Sequence, residues 1–94
     1  MLQVFRAKER ARKGMPAIVH VDGTARLQTV SREQNQLFHD LIKELGKING
    51  VPCVLNTSFN IKGEPIVCSP MDAIKCWSST GVDVLVMGSY ILEK

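Results

Sequence analysis

The stretch SREQNQLFHDLIKELGKINGVPCVL, residues 31–55, predicts a helix followed by a buried strand. Ser31 and Gln34 have the spacing of a capping box, which marks the start of a helix. The apolar residues that follow recur at helical spacing and form one stripe for a core: Leu37, Phe38, Leu41, Ile42, Leu45 and Ile48. Asn49–Gly50 ends the helix, and the continuous apolar run at residues 51–55 is typical of a buried strand.

The flanking sequence extends this alternation of strands and helices. Further strands are predicted at residues 1–5, 16–21, 25–30 and 82–87, and residues 90–92 are expected to extend the packing of the last of them. Asp22–Gly23 predicts a turn between two of them, and residues 6–13 predict a short charged helix that Gly14 ends. Ser69 and Pro70 begin a second main helix, whose apolar side is Ala73, Ile74 and Trp77. The predicted class is α/β (α+β), a mixed twisted sheet with two main helices.

Length and composition indicate one small domain spanning residues 1–94. No apolar run approaches the roughly 20 residues that cross a bilayer, and the N-terminus has no signal-peptide pattern. Cys53, Cys68 and Cys76 follow no zinc spacing and predict reduced thiols, so we expect a cytoplasmic protein without a metal site.

The net charge of +3 is concentrated in a basic lead-in segment, residues 1–14. This segment carries five basic side chains and one acidic one: Arg6, Lys8, Arg10, Arg12 and Lys13 against Glu9. Such a run can bind phosphate or nucleic acid, or it can be a solvated helix face. Only Phe5 lies among these charges, which disfavours nucleic-acid binding through stacked bases.

A polar cluster directly follows the predicted strand at residues 51–55. Asn56, Thr57, Ser58 and Asn60 offer hydroxyl and amide groups, which donate and accept hydrogen bonds. In open α/β sheets, ligands bind beyond the carboxyl ends of strands. The cluster therefore suits an uncharged polar ligand group such as an amide, a carbamoyl group or a ribose, with an ordinary turn as the alternative.

A second polar cluster consists of His20, Asp22, Arg26 and Gln28, which share parity along the chain. The turn at Asp22–Gly23 leaves open whether they face one side. Arg26 either pairs with a carboxylate or is available to bind a phosphate. His20 and Asp22 form an acid–base pair or have structural roles.

Two segments, HVDGTARLQTV (residues 20–30) and NTSFNIKGEPIV (residues 56–67), resemble the C-terminal domain of the nodulation-protein-type carbamoyltransferases. The resemblance extends over about residues 15–92. That domain in turn resembles the threonylcarbamoyl-AMP synthases, which carry an arginine, a Ser-x-Asn motif and a Gly-Glu-Pro motif in this order. Arg26, Ser58–Asn60 and Gly63–Pro65 match these three features.

The resemblance implies a threonylcarbamoyl-AMP-synthase-like fold and a site that forms carbamoyladenylate from magnesium-bound ATP and carbamoyl phosphate. In the family, a separate N-terminal domain then transfers the carbamoyl group to a hydroxyl acceptor. The implied catalytic residues are Arg26, Ser58 and Asn60. The implied substrate- and nucleotide-binding residues are His20, Arg26, Gln28, Asn56, Thr57, Ser58, Asn60 and Lys62.

The resemblance also predicts that the chain is a fragment, the C-terminal portion of that domain. We expect it to be inactive by itself and to need a partner, either the missing N-terminal domain or a second copy in a homo-oligomer. Exposed sheet edges favour such self-association. Neither membrane nor nucleic acid is an expected partner. The alternative is a non-catalytic α/β remnant that self-associates or docks on another chain.

Overall fold

A computed structural model describes residues 3–94, which form two compact units, one ending at Leu55 and the other spanning Asn56–Lys94. The elements in chain order are β1 (Val4–Arg6), α1 (Glu9–Gly14), a short 3₁₀ helix (Pro16–Ile18), β2 (Thr24–Arg26), α2 (Gln36–Asn49), α3 (Pro70–Ser79), β3 (Val84–Met87) and β4 (Tyr90–Glu93). The predicted class, α/β (α+β), is confirmed. Within residues 3–94, no helix combines the length and apolar character needed to cross a membrane.

The sheet of the first unit is an antiparallel pair of β1 and β2. Val4 lies opposite Arg26, and Arg6 lies opposite Thr24. Residues that face each other across a ladder project to the same side of the sheet. These four side chains therefore share one face. The strand predicted at residues 1–5 is found at Val4–Arg6, with residues 1 and 2 outside the described part of the chain.

The strand predicted at residues 16–21 is wrong. Pro16 begins a 3₁₀ turn, in which the Val19 N–H donates to the Pro16 carbonyl at 3.2 Å. Proline has a fixed φ and no N–H, so it suits the first position of a helical turn. The turn at Asp22–Gly23 is confirmed, because the Gly23 N–H donates to the His20 carbonyl at 2.9 Å. The chain that leaves this turn pairs with β1.

Two successive sets of side-chain–backbone hydrogen bonds lie at the N-terminal end of helix α2. The predicted capping box forms: the Ser31 N–H donates to Gln34 Oε1 at 3.2 Å, and the Gln34 N–H donates to Ser31 Oγ at 3.3 Å. It closes a separate turn, however, and the N-cap of α2 itself is Asn35, whose Oδ1 accepts from the Phe38 N–H at 3.1 Å. The predicted stop is confirmed by Gly50, which has a left-handed φ of 80°.

The apolar stripe of α2 is only partly covered by its own unit. Ile42 and Leu45 are half-buried, whereas Leu37 and Ile48 are 82% and 84% exposed. Leu41 is exposed as well. At 100° per residue, Leu37, Leu41 and Ile48 fall within an arc of about 40°. One side of the predicted stripe therefore packs, and the other side is an uncovered apolar face.

The buried strand predicted at residues 51–55 is also wrong, since this segment is irregular. Pro52 lacks the N–H that a ladder needs and packs on Gly46, where an added Cβ would lie 2.8 Å from the proline Cβ. The Cys53 N–H donates to the Val51 carbonyl at 2.9 Å, and Leu55 is 66% exposed. Both sheets of the described chain are consequently antiparallel pairs.

The second unit follows the prediction closely. Ser69 caps α3 by accepting from the Asp72 N–H at 3.1 Å, and Pro70 occupies the first turn. Strands β3 and β4 form an antiparallel hairpin with Leu85 opposite Leu92. The core of the second unit consists of the three side chains that are most deeply buried among residues 3–94: Ala73, Cys76 and Leu85.

The start of α3 also holds a thiol next to a carboxylate. The Cys68 thiol donates to Asp72 Oδ2 at 3.4 Å. This hydrogen bond and the charge of the carboxylate raise the pKa of Cys68. Hydrogen bonds from Ser69 and then Cys68 lower the pKa of Asp72. All three cysteines are free, as predicted from their spacing.

We predict that Ser69→Ala destabilises the second unit by about 1 kcal/mol, because the first turn of α3 loses its cap. Urea unfolding followed by the fluorescence of Trp77, a residue of α3, measures the change. Ser78→Ala is the matched control, since the Ser78 hydroxyl bonds only the Lys75 carbonyl of the preceding turn. Equal midpoints for the Ser69→Ala variant and the wild type would contradict the assigned cap.

We predict that Asp72→Asn lowers the pKa of Cys68, because the anion that disfavours the thiolate is removed. The thiolate fraction at pH 8 then rises, and alkylation of Cys68 by iodoacetamide becomes faster. Rates measured by mass spectrometry from pH 7 to 10 give the titration midpoint. Cys68→Ser supplies the background from Cys53 and Cys76. A midpoint that stays in place or moves upward would refute the interaction.

Candidate functional site

The polar loop after residue 55 is closed by backbone hydrogen bonds within the second unit. The Val67 N–H donates to the Phe59 carbonyl at 2.9 Å, which brings the two ends of the loop together. Inside it, the Glu64 N–H donates to the Ile61 carbonyl at 2.9 Å, and Gly63 has a φ of 89°. A positive φ at the third position is the property of a type II turn, and it favours glycine. Gly63 of the Gly-Glu sequence therefore allows the chain to form this type II turn.

Asn60 connects this turn to the polar cluster. Its Nδ2 donates to the Ile61 carbonyl at 3.1 Å and to the Glu64 carbonyl at 2.9 Å. Both amide hydrogens are used in the turn, which leaves Oδ1 as the group that can accept from a ligand. Asn60 is half-buried, so this acceptor is held in a fixed place by the loop.

The other predicted loop residues are exposed: Asn56, Thr57, Ser58 and Lys62. Within residues 56–94, the hydroxyl groups of Thr57 and Ser58 have no hydrogen-bond partner in the protein. The loop therefore carries two exposed hydroxyls and one exposed ammonium group within a few residues of Asn60. The structure brings these predicted residues together in one segment of the second unit.

The second predicted cluster belongs to the first unit and is organised by Thr24. Asp22 Oδ1 accepts from the Thr24 hydroxyl at 2.6 Å and from the Thr24 N–H at 3.0 Å. These bonds, first the hydroxyl and then the N–H, lower the pKa of Asp22, with the charge of His20 contributing less. His20 Nδ1 lies 3.1 Å from the Thr24 oxygen. Because the hydroxyl hydrogen goes to Asp22, the Thr24 oxygen accepts from His20 Nδ1–H.

His20 and Asp22 are thus linked through Thr24, a residue that the sequence prediction missed. The signal for it is the Asp-Gly-Thr order, in which an aspartate before a turn bonds the residue two positions later. The four residues of equal parity do not lie on one strand, since the chain reverses after His20 and only Arg26 lies in β2. Gln28 follows β2 and is exposed.

Arg26 is an exposed residue of β2, on the same face as Arg6. Within residues 3–55, the carboxylates that form ion pairs do so with other cations, such as Glu9 with Lys13 and Asp40 with Arg32. Within residues 3–55, no carboxylate forms an ion pair with Arg26. Of the two alternatives for Arg26, the described part of the first unit therefore favours a guanidinium group that is available to an anion. Arg26 belongs to the first unit, and the polar loop belongs to the second unit.

Residues 3–94 contain no group of three or more His, Cys, Asp and Glu side chains that could hold a metal ion. The donors described above are instead hydroxyl, amide and guanidinium groups. Guanidinium and hydroxyl donors suit phosphate oxygens, which accept hydrogen bonds, and amide and hydroxyl groups suit a carbamoyl group, which both donates and accepts them.

Comparison with known proteins identifies the family to which the chain belongs. Residues 1–94 match the family described as Carbamoyltransferase C-terminus. The chain is 50% identical over 91 residues to nodulation protein NolNO of Sinorhizobium fredii and 47% identical over 91 residues to nodulation protein NolO of Bradyrhizobium diazoefficiens. It is 35% identical over 88 residues to a 3'-hydroxymethylcephem-O-carbamoyltransferase of Amycolatopsis lactamdurans.

These alignments cover 97%, 97% and 94% of this chain, respectively. The chain spans only 13%, 17% and 16% of the relatives' own lengths. The match thus includes both polar clusters but a minor part of each relative. The chain belongs to the carbamoyltransferase family, and it corresponds to the C-terminus of those proteins.

Proposed function

We propose that this chain supplies part of the site at which a carbamoyltransferase forms carbamoyladenylate from ATP and carbamoyl phosphate, in a reaction that consumes one water molecule and releases pyrophosphate from ATP and inorganic phosphate from carbamoyl phosphate. The observation that carries the proposal is the loop of the second unit. It holds Asn60 by two hydrogen bonds, and two residues earlier it carries the exposed Ser58 hydroxyl, for which residues 56–94 provide no hydrogen-bond partner. A carbamoyl group has an NH₂ donor and a carbonyl acceptor, and the loop offers the complement of both.

The loop residues have distinct roles in this proposal. Asn60 Oδ1 accepts a hydrogen bond from the carbamoyl NH₂ group, since its own amide hydrogens are used in the turn. Ser58 donates its hydroxyl to the carbamoyl oxygen or to the adjacent phosphate. Lys62 adds positive charge, and Asn56 and Thr57 line the same ligand. These groups bind and orient the ligand, and none of them forms a covalent bond with it.

Arg26 neutralises phosphate charge as the adenylate forms. Within residues 3–55, its guanidinium group has no carboxylate partner. A guanidinium group can donate two parallel hydrogen bonds to two oxygens of one phosphate. Stabilising negative charge as it develops on phosphate oxygens is the main contribution that proteins make to such reactions. His20 and Gln28 line the ligand in this scheme. Magnesium arrives bound to ATP, and no residue of this chain is assigned to it.

The remaining transfer step belongs to other parts of a carbamoyltransferase. The name of the Amycolatopsis relative describes transfer of a carbamoyl group to the oxygen of a hydroxymethyl group. We extend this to a hydroxyl acceptor for the protein that contains the present chain, with a further domain or a second copy as partner. Three free cysteines and an ATP substrate suit the cytoplasm.

A second candidate function is self-association without catalysis, and the uncovered face of α2 favours it. Leu37, Leu41 and Ile48 form an exposed apolar strip, and such strips mark contact surfaces. In that case Leu41→Glu lowers the apparent mass in sedimentation experiments, and no ligand binds the polar loop.

We predict that Arg26→Ala and Ser58→Ala each weaken binding of a stable carbamoyladenylate mimic to the 94-residue chain by about 10-fold or more, as expected for loss of a hydrogen bond to a charged group. Isothermal titration calorimetry with the mimic and with ATP measures the change. The matched controls are Arg32→Ala, an exposed arginine paired with Asp40, and Ser78→Ala on α3. Both controls retain wild-type affinity. A folded wild-type chain that binds neither ligand would refute the proposal, as would equal weakening by Arg32→Ala and Arg26→Ala.

A further inference from the structure

His20 is held in place through both its backbone and its ring. Its N–H donates to the Thr24 carbonyl at 2.7 Å, and its carbonyl accepts from the Gly23 N–H at 2.9 Å. Its ring nitrogen Nδ1 lies 3.1 Å from the Thr24 side-chain oxygen, which is within hydrogen-bond distance. Thr24 is a half-buried residue of β2, so the side chain that holds the imidazole is itself fixed in the β1–β2 ladder.

The hydrogen bonds of Thr24 determine which nitrogen of His20 carries the hydrogen. The Thr24 hydroxyl donates to Asp22 Oδ1 at 2.6 Å, and this bond, more than any other, lowers the pKa of Asp22. Asp22 is therefore a carboxylate, which accepts hydrogen bonds and donates none. Since the one hydroxyl hydrogen is used, the Thr24 oxygen accepts from the imidazole, and the hydrogen lies on Nδ1. In a neutral imidazole, Nε2 then has no hydrogen and is an acceptor.

Nε2 is the polar atom of His20 that the first unit leaves unused. Within residues 3–55, the hydrogen bonds of His20 go to Thr24 and Gly23, and none involves Nε2. His20 is exposed and lines a cleft of about 420 Å³ together with Arg6 and Arg12. A nitrogen without a hydrogen cannot donate to a phosphate oxygen, but it can accept from a hydroxyl or an amino group. His20 therefore differs in its hydrogen bonding from the two guanidinium groups, which only donate.

We propose that Thr24 is a positioning residue that holds His20 in its Nδ1–H form, so that Nε2 accepts a hydrogen bond from the nucleoside part of ATP. The choice of ligand rests on the proposed function. Among the substrates of that reaction, phosphate groups offer acceptor oxygens, and Asn60 accepts from the carbamoyl NH₂ group. The donors that remain are the ribose hydroxyls and the amino group of adenine. Thr24 contacts no ligand and acts through His20.

Nitrogen NMR of the imidazole rings tests the positioning role without any ligand. In long-range ¹⁵N–¹H correlation spectra of the 94-residue chain, a ring nitrogen that lacks a hydrogen resonates far downfield from one that carries a hydrogen. Spectra are recorded from pH 6 to 9, and the tautomer is determined where the shifts no longer change with pH. The chain has two histidines, and His39→Gln assigns the remaining signals to His20. We expect the hydrogen of wild-type His20 on Nδ1.

Thr24→Val removes the hydroxyl and keeps the branched shape that suits a strand. We expect His20 to shift toward the Nε2–H form, which an imidazole without a partner for Nδ1 favours. Thr24→Ser keeps the hydroxyl and restores the Nδ1–H form. Thr29→Val is the matched control, because Thr29 is an exposed threonine after β2, and it leaves the tautomer as in wild type. The Nε2–H form in the wild type, or a Thr24→Val variant with an unchanged tautomer, overturns the positioning role.

Calorimetric titration with ATP tests the nucleoside contact. Thr24→Val and His20→Phe each weaken ATP binding about fivefold, as expected for the loss of one neutral hydrogen bond, and Thr24→Ser stays within about twofold of wild type. Dideoxy-ATP lacks both ribose hydroxyls, and purine riboside triphosphate lacks the amino group. The effect of His20→Phe disappears for the analogue without the donor and persists for the other, which identifies the donor. An effect that persists for both analogues overturns the contact.

The two measurements separate this inference from the proposed function. A chain that shows the Nδ1–H form and binds no ATP refutes both the proposed function and the nucleoside contact, while the NMR spectra still decide the role of Thr24. A chain that binds ATP with an affinity insensitive to Thr24→Val and His20→Phe keeps the proposed function and overturns this inference. Backbone amide spectra confirm that each variant is folded.

Discussion

The constraint on which this structure depends is the small amount of apolar surface that the chain buries. Among residues 3–94, only Ala73, Cys76 and Leu85 are nearly inaccessible, and all three belong to the second unit. Short chains bury a smaller fraction of their surface than long ones do, and their packing contributes correspondingly less to stability. Local hydrogen bonds must then fix the conformation: a cap at each main helix, a left-handed glycine after α2, and closed turns in both polar segments.

This dependence explains which parts of the fold the sequence predicts. Ser69 before Pro70, Gly50 after α2, and Asp22–Gly23 all act within a few residues, so their signals are present in the local sequence and the structure confirms them. Residues 51–55 are different. An apolar run becomes a strand only if another strand is available to pair with it, and Pro52 and the packing on Gly46 decide against pairing here.

The same distinction applies to the candidate site. The resemblance selects Arg26, Ser58 and Asn60 by type and order, and the structure adds what each side chain already bonds. Asn60 Nδ2 donates both of its hydrogens within the turn, and Oδ1 stays available as an acceptor. The sequence alone does not indicate which of the two atoms is engaged. Thr24 is missed by a sequence-based search, because it becomes a hydrogen-bond partner of His20 only through the reversal of the chain at residues 20–23.

The ion pairs of the first unit separate its cations into paired and unpaired groups. In the first unit, Lys13, Lys47 and Arg32 are paired with carboxylates on their own or adjoining helical segments. Exposed pairs of this kind contribute little to stability, but they cancel charge locally. Arg6, Arg12 and Arg26 remain unpaired in the part of that unit that the structure describes, and all three lie in or beside the β1–β2 ladder and its turn. Within residues 3–55, Arg10 of α1 also forms no ion pair, so what sets the other three apart is their place around the β1–β2 ladder, where guanidinium groups can hydrogen-bond phosphate oxygens.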